Sequence, residues 1–285
     1  MLGKITVAII FLLLVWGNIV AGLKAGLACP DWPLCHGKVL PPFRWDIYIE
    51  FLHRVIGAIA SILLVVLSYK RFREYSRSAK IIPVITVLLL IFQVTLGGMV
   101  VLMKLPADIT TIHFAIAIFI FTLTLYLATF DGKIDMPSFS LSNFGWLFFF
   151  LALLIFAQAV LGAYARHSDA GLACPDFPKC LGQWIPPVLR GTVLTHYVHR
   201  SVAYLIFIVV LSIFIYSFIN SGLRHFRSKI ILLILLIFLQ VIVGVGVIHT
   251  RLYFMITALH ISLALLILGT VLYTWFKDMR ESHAS

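Results

Sequence analysis

Charge is what this sequence has least of. Only 12% of its 285 residues are charged, while 62% are hydrophobic, and the mean hydropathy is +1.07. Burial of a core in a soluble chain of this length needs far less apolar residue, whereas a bilayer demands it. Acidic residues are scarcer still, 11 against 22 Lys and Arg, for a net charge of +11. In a soluble protein that excess would suggest nucleic acid. Here it is read as basic loops facing anionic lipid, and no nucleic-acid partner is expected. No cleavable signal peptide is expected, because the first apolar run continues past the length of a signal core. No Arg- and Ser-rich transit segment precedes that run, which points to a bacterial plasma membrane. Cysteine is limited to four residues.

Eight apolar segments of membrane-crossing length can be drawn, at 3–23, 47–69, 80–103, 108–130, 143–165, 193–219, 228–250 and 253–277. Open strands cannot satisfy their backbone in lipid, so all eight are predicted to be helices. Lys70, Arg71, Arg73, Arg77 and Lys80 follow the second segment; Arg224, Arg227 and Lys229 follow the sixth; Lys277 and Arg280 follow the last. The positive-inside rule places these in the cytoplasm, with both termini, and puts the loops after the first and fifth segments outside.

Those two outer loops repeat each other. Residues 26–35 read Gly-Leu-Ala-Cys-Pro-Asp-Trp-Pro-Leu-Cys and residues 171–180 read Gly-Leu-Ala-Cys-Pro-Asp-Phe-Pro-Lys-Cys. Pro41-Pro42 and Pro186-Pro187 follow, then His53-Arg54 and His199-Arg200. Gly17 matches Gly162, Gln93 matches Gln240, and His113 matches His260. The chain is therefore read as a duplication: a four-helix half at 1–130, a cytoplasmic linker at 131–142 and a second four-helix half at 143–285. Each half has an even number of spans, so the two insert in the same orientation about a pseudo-twofold axis along the membrane normal.

Ionisable residues inside spans are costly and mark function. His53, His113, His199 and His260 all fall five to seven residues into helices that start outside, roughly 8–10 Å below the outer boundary. Two opposed imidazoles per half are what a six-coordinate haem iron requires. Gly57, Gly97, Gly98, Gly244 and Gly246 would let a flat macrocycle approach. A membrane histidine can instead bond a hydroxyl or carbonyl across an interface, but four at matched depth weigh against that. Zinc or copper would need a converging thiolate or carboxylate set. Arg54 and Arg200 are candidates for haem propionates or for snorkelling to headgroups. The halves differ at Glu50, which aligns with His196 and lies three residues before His53, on one helix face with it.

The Cys pairs, each with five residues between its members, are expected to form local disulfides outside the cytoplasm, Cys29–Cys35 and Cys174–Cys180. They are either staples over the helix ends or, for the first pair, redox-active near Glu50. Covalent haem attachment fails on spacing.

Two four-helix halves, the Glu-Phe-Leu-His-Arg stretch at 50–54, the outer Cys loops and four helix-borne histidines together resemble the haem A synthase family over essentially the whole chain. The resemblance implies a membrane oxidoreductase that converts a methyl group of haem O to the formyl group of haem A by successive hydroxylations. It implies substrate haem between His53 and His113, resident haem b between His199 and His260, and catalysis by Glu50. The implied partners are haem O handed over by a haem O synthase, an electron acceptor, the bilayer and further copies of the chain. The alternative is a di-haem, b-type electron-transfer subunit that oxidises quinol. Mass analysis of haems extracted from the purified protein separates the two: the synthase reading expects haem O or haem A beside haem b, and b-type haem alone would overturn it.

Overall fold

The computed structural model describes residues 1–134 and 144–282. Most of the expected linker, from residue 135 on, lies outside the described residues. The described residues fall into two compact units, 1–134 with 279–282 and 144–278. Eight helices among the described residues are long and apolar enough to cross a membrane, and no strand is formed among them.

The first unit contains α1 (Leu2–Gly22), α2 (Trp45–Glu74), α3 (Ile81–Leu102) and α4 (Ala107–Thr129). They close a ring in which α1 and α3 each pack between α2 and α4, while α2 and α4 meet only lightly across it. The contact of α1 with α4 is close at Gly3, where a Cβ would fall 2.8 Å from the Ala128 Cα. The second unit contains α5 (Gly145–His167), α6 (Gly191–Ile219), α7 (Arg227–His249) and α8 (Phe254–Ser282) as far as Asp278. Here α6 packs on α5 and on α7. Helix α8 meets α7 where Gly244 faces His260, and meets α5 where Phe149 lies 5.1 Å from Trp275, ring to ring. The histidine-bearing helices α2 and α4 are thus diagonal partners.

Helix α2 runs five residues beyond its expected end. Its last turn is charged rather than apolar, and ion pairing keeps it helical: Arg71, itself buried, pairs with Glu74 and donates to the Leu127 carbonyl at 2.7 Å. Tyr75 then donates to the Phe130 carbonyl at 2.6 Å. The free carbonyls at the end of α4 find donors on α2 in this way. Within the spans, hydroxyls such as Thr6, Thr86, Thr124 and Ser262 bond the carbonyl four residues back, which leaves no bare O–H toward lipid. The outward faces carry large exposed apolar residues, among them Leu12, Ile62, Leu88, Phe150, Ile208 and Leu235.

The two Cys loops fold alike. Both disulfides form, Cys29–Cys35 and Cys174–Cys180, each with Cα atoms 4.7 Å apart. Past each one the chain turns through two consecutive positive-φ residues, His36-Gly37 and Leu181-Gly182. Their amides point to one carboxylate: Asp31 accepts from His36 at 2.6 Å and Gly37 at 2.7 Å, and Asp176 accepts from Leu181 at 2.7 Å and Gly182 at 2.8 Å. Glycine at the second position relieves the left-handed conformation, and the aspartate supplies the acceptors that the turn lacks.

The Gly37 amide, followed by that of His36, holds the Asp31 carboxyl below its ordinary range; the Gly182 and Leu181 amides do the same for Asp176. A depressed folded value means that the stabilisation is present above the unfolded pKa and is lost as pH falls through the folded one. The disulfide sulfurs are buried, so reduction reports loop opening. Reduction of Cys29–Cys35 by a water-soluble phosphine is expected to accelerate as pH drops below about 4. In Asp31→Ala it should be fast at every pH, and an unchanged profile in that variant would contradict the role given to the carboxylate.

Candidate functional site

The four intramembrane histidines share one local construction. Each imidazole lies edge-on against a glycine of the helix before its own. A Cβ on Gly17 would fall 3.0 Å from Cε1 of His53, and one on Gly97 would fall 3.1 Å from Cε1 of His113. The corresponding distances are 2.8 Å for Gly162 against His199 and 3.1 Å for Gly244 against His260. Only glycine lets the ring come this close to the neighbouring backbone. The sequence pattern marked Gly17 and Gly162 as repeat partners, but their pairing with histidine needed the packing of α1 on α2 and of α5 on α6. Of the glycines expected to admit a macrocycle, Gly97 and Gly244 seat imidazoles. Gly98 lies under the Trp32 indole, 2.8 Å from its Cδ2, while Gly57 and Gly246 face Leu13 and Ile256.

Each unit carries two of these imidazoles, His53 and His113 in the first and His199 and His260 in the second. Nδ1 of all four rings is sealed from solvent without a hydrogen-bond partner. Nε2 of His113 lies 3.4 Å from the Gln93 amide nitrogen, and that of His260 lies 3.3 Å from Gln240. An unpaired polar atom in a membrane interior costs several kcal/mol, roughly what a water-to-hydrocarbon transfer costs. The four rings stand at matched positions in the two units. Among the described residues no three His, Cys, Asp or Glu side chains converge as a metal's ligand set. A porphyrin iron needs only two axial protein ligands, so two imidazoles per unit fit it.

Next to His53, Arg54 turns up to the roof. Its Nε donates to Oε1 of Glu50 at 3.1 Å, Nη1 to the carbonyls of Asp31 at 2.8 Å and Leu34 at 2.6 Å, and Nη2 to that of Cys29 at 2.9 Å. Arg200 repeats the pattern with the carbonyls of Asp176 at 2.6 Å, Lys179 at 2.8 Å and Cys174 at 2.5 Å, while its Nε meets His196 Nε2 at 3.3 Å. Each guanidinium thus commits four of its five N–H groups to its own loop and helix, leaving one for any further partner. The Arg directly after His53 and the one directly after His199 are therefore the pins that fix the Cys loops over the helix ends. Glu50 is 5% exposed, and Arg54 is its ion-pair partner. In the second unit His196 fills the same place, buried, with Nδ1 3.3 Å from the Cys174 amide.

The chain matches the cytochrome oxidase assembly protein family over residues 2–272. The heme A synthase of Halalkalibacterium halodurans is 33% identical to it over 80% of this chain and 78% of that protein. The heme A synthase of Shouchella clausii is 32% identical over 76% and 75%. That of Alkalihalophilus pseudofirmus is likewise 32% identical over 76% and 75%.

The glycine seats make a direct test. Gly162→Ala places a methyl 2.8 Å from the His199 ring, an overpacking worth about 1–3 kcal/mol, and is expected to weaken the bis-imidazole low-spin haem spectrum. Gly246→Ala meets only the Ile256 methyl at 3.5 Å, an ordinary contact, and should leave the spectrum as in the wild type.

Proposed function

The chain belongs to the cytochrome oxidase assembly protein family, and from that premise we propose that it is a haem A synthase that oxidises a methyl group of haem O to a formyl group. The similarity to several heme A synthases over three quarters or more of their length supports this reading. The observation that carries it within the chain is the one acid beside a ligand, Glu50, in only one of two otherwise repeated units.

In this proposal residues 1–130 receive haem O between His53 and His113, and residues 143–285 hold haem b between His199 and His260. Both termini face the cytoplasm, and the Cys loops cover the outer ends of the two bundles in the plasma membrane. The methyl carbon is hydroxylated twice, and the resulting gem-diol loses water to leave the aldehyde. His199 and His260 would hold haem b, which would supply a route for the electrons withdrawn from the substrate toward an acceptor outside the chain.

The residues of the chain divide the remaining work. His53 and His113, seated on Gly17 and Gly97, fix the height and rotation of the substrate and so decide which methyl is presented to Glu50. The Glu50 carboxylate lies one helical turn above His53, within reach of the edge of a ring held there. It takes the proton from the attacking water as a general base. Arg54 keeps that carboxylate in place while its other N–H groups hold the loop shut. Closing the loop excludes bulk water, so the water used is one that Glu50 has positioned. A propionate of either haem could take the last free N–H of Arg54 or Arg200.

Glu50→Gln keeps the shape and removes the base. It is expected to retain haem in both units while haem A falls by about 10²-fold or more, with haem O and its hydroxylated product accumulating in extracts analysed by mass. Undiminished haem A from Glu50→Gln would remove the carboxylate from the mechanism.

A further inference from the structure

One hydrogen bond changes position between the two units. In the second unit the Gln158 side-chain amide on α5 donates to the main-chain carbonyl of His199 on α6, at 2.9 Å. In the first unit the Trp16 indole on α1 donates to the main-chain carbonyl of Ile49 on α2, also at 2.9 Å. Both bonds run from the first helix of a unit into a carbonyl of the second. Aligning Gly17 with Gly162 places Leu13 opposite Gln158 and Leu161 opposite Trp16. The exchange is reciprocal: each unit has one donor and a leucine where the other unit has its donor.

The acceptors differ by one helical turn. In the second unit the bond ends on the ligand's own residue. In the first it ends on the residue directly before Glu50, four positions ahead of His53. A primary amide inside an apolar bundle is costly, and Oε1 of Gln158 is buried with no partner. The side chain is kept at that cost for one contact, the tie from α5 to the His199 turn. Releasing a histidine-bound haem requires the ligand's helix to rock away from its neighbour. A bond at the ligand's own carbonyl resists that motion directly, whereas a bond one turn away holds Glu50 in register and leaves the His53 turn freer.

We propose that Gln158 is a positioning residue for His199, and that the register of this bond makes the second unit retain its haem while the first, with Leu13 in place of Gln158, exchanges its haem. This rests on the reading that both histidine pairs bind haem and that the second unit holds the resident one.

The test measures haem transfer from the full-length, haem-loaded protein to excess apomyoglobin, together with the ferric low-spin electron paramagnetic resonance spectrum. The wild type should show two bis-imidazole signals and two phases, a fast one from the first unit and a slow one from the second. Gln158→Leu is expected to accelerate the slow phase roughly three- to tenfold, the effect of one lost hydrogen bond, and to shift the signal of that haem alone. Leu13→Gln is expected to slow the fast phase by a similar factor, and it decides the matter if Gln158→Leu does not insert. Unchanged phases, or equal acceleration of both, would overturn the proposal while leaving the site reading intact. A wild type without bis-imidazole haem would overturn the site reading and this proposal together.

Discussion

In hydrocarbon, a polar group without a partner costs several kcal/mol, and this constraint organises the structure. It makes every described span a helix and sends hydroxyls such as those of Thr6, Thr86 and Thr124 back onto their own backbone. It also explains why Arg71 ends on the carbonyls of α4 and why Arg54 and Arg200 turn up into the Cys loops. Against that pattern the imidazoles of His53, His113, His199 and His260 stand out, with Nδ1 sealed and unpaired in all four. The side-chain oxygens of Gln93, Gln158 and Gln240 are buried without a partner as well, and two of these amides, on Gln93 and Gln240, lie against the imidazoles of His113 and His260.

The Arg pin links the roof to the histidine turn. Because it directly follows the histidine in sequence, the residue that anchors the loop and the imidazole seated on glycine share one turn of helix. The loop is stiff in its own right, held by a disulfide and by an aspartate that collects two amides, so its position sets the position of the turn beneath it. In the first unit the same guanidinium is the ion-pair partner of Glu50. Roof, acid and ligand therefore move as one body there.

Against this shared frame the differences between the units acquire meaning. Glu50 stands where the second unit has His196. Trp32 lies on Gly98, and the residues aligned with these two are Phe177 and Val245. The interhelical hydrogen bond moves by a turn.

The number of spans, their helical state, the repeat, the disulfide pairs and the histidines could be read from the sequence, because lipid permits few structures and a duplication exposes its own register. Glu50 was legible for the same reason, as a mismatch in an otherwise matched stretch. Helix α2 ran past its expected end because hydropathy stops at the first charge, whereas a helix stops where its ion pairs do. What only the tertiary structure decided was partnership. Gly17 and Gly162 are ordinary membrane glycines until α1 packs on α2 and α5 on α6. Arg54 and Arg200 could face lipid, haem or loop until the loop carbonyls came within 3 Å of their N–H groups. Periodicity reports which residues share a face of one helix; it carries no information about which face of another helix, or which carbonyl of a distant loop, will lie against it.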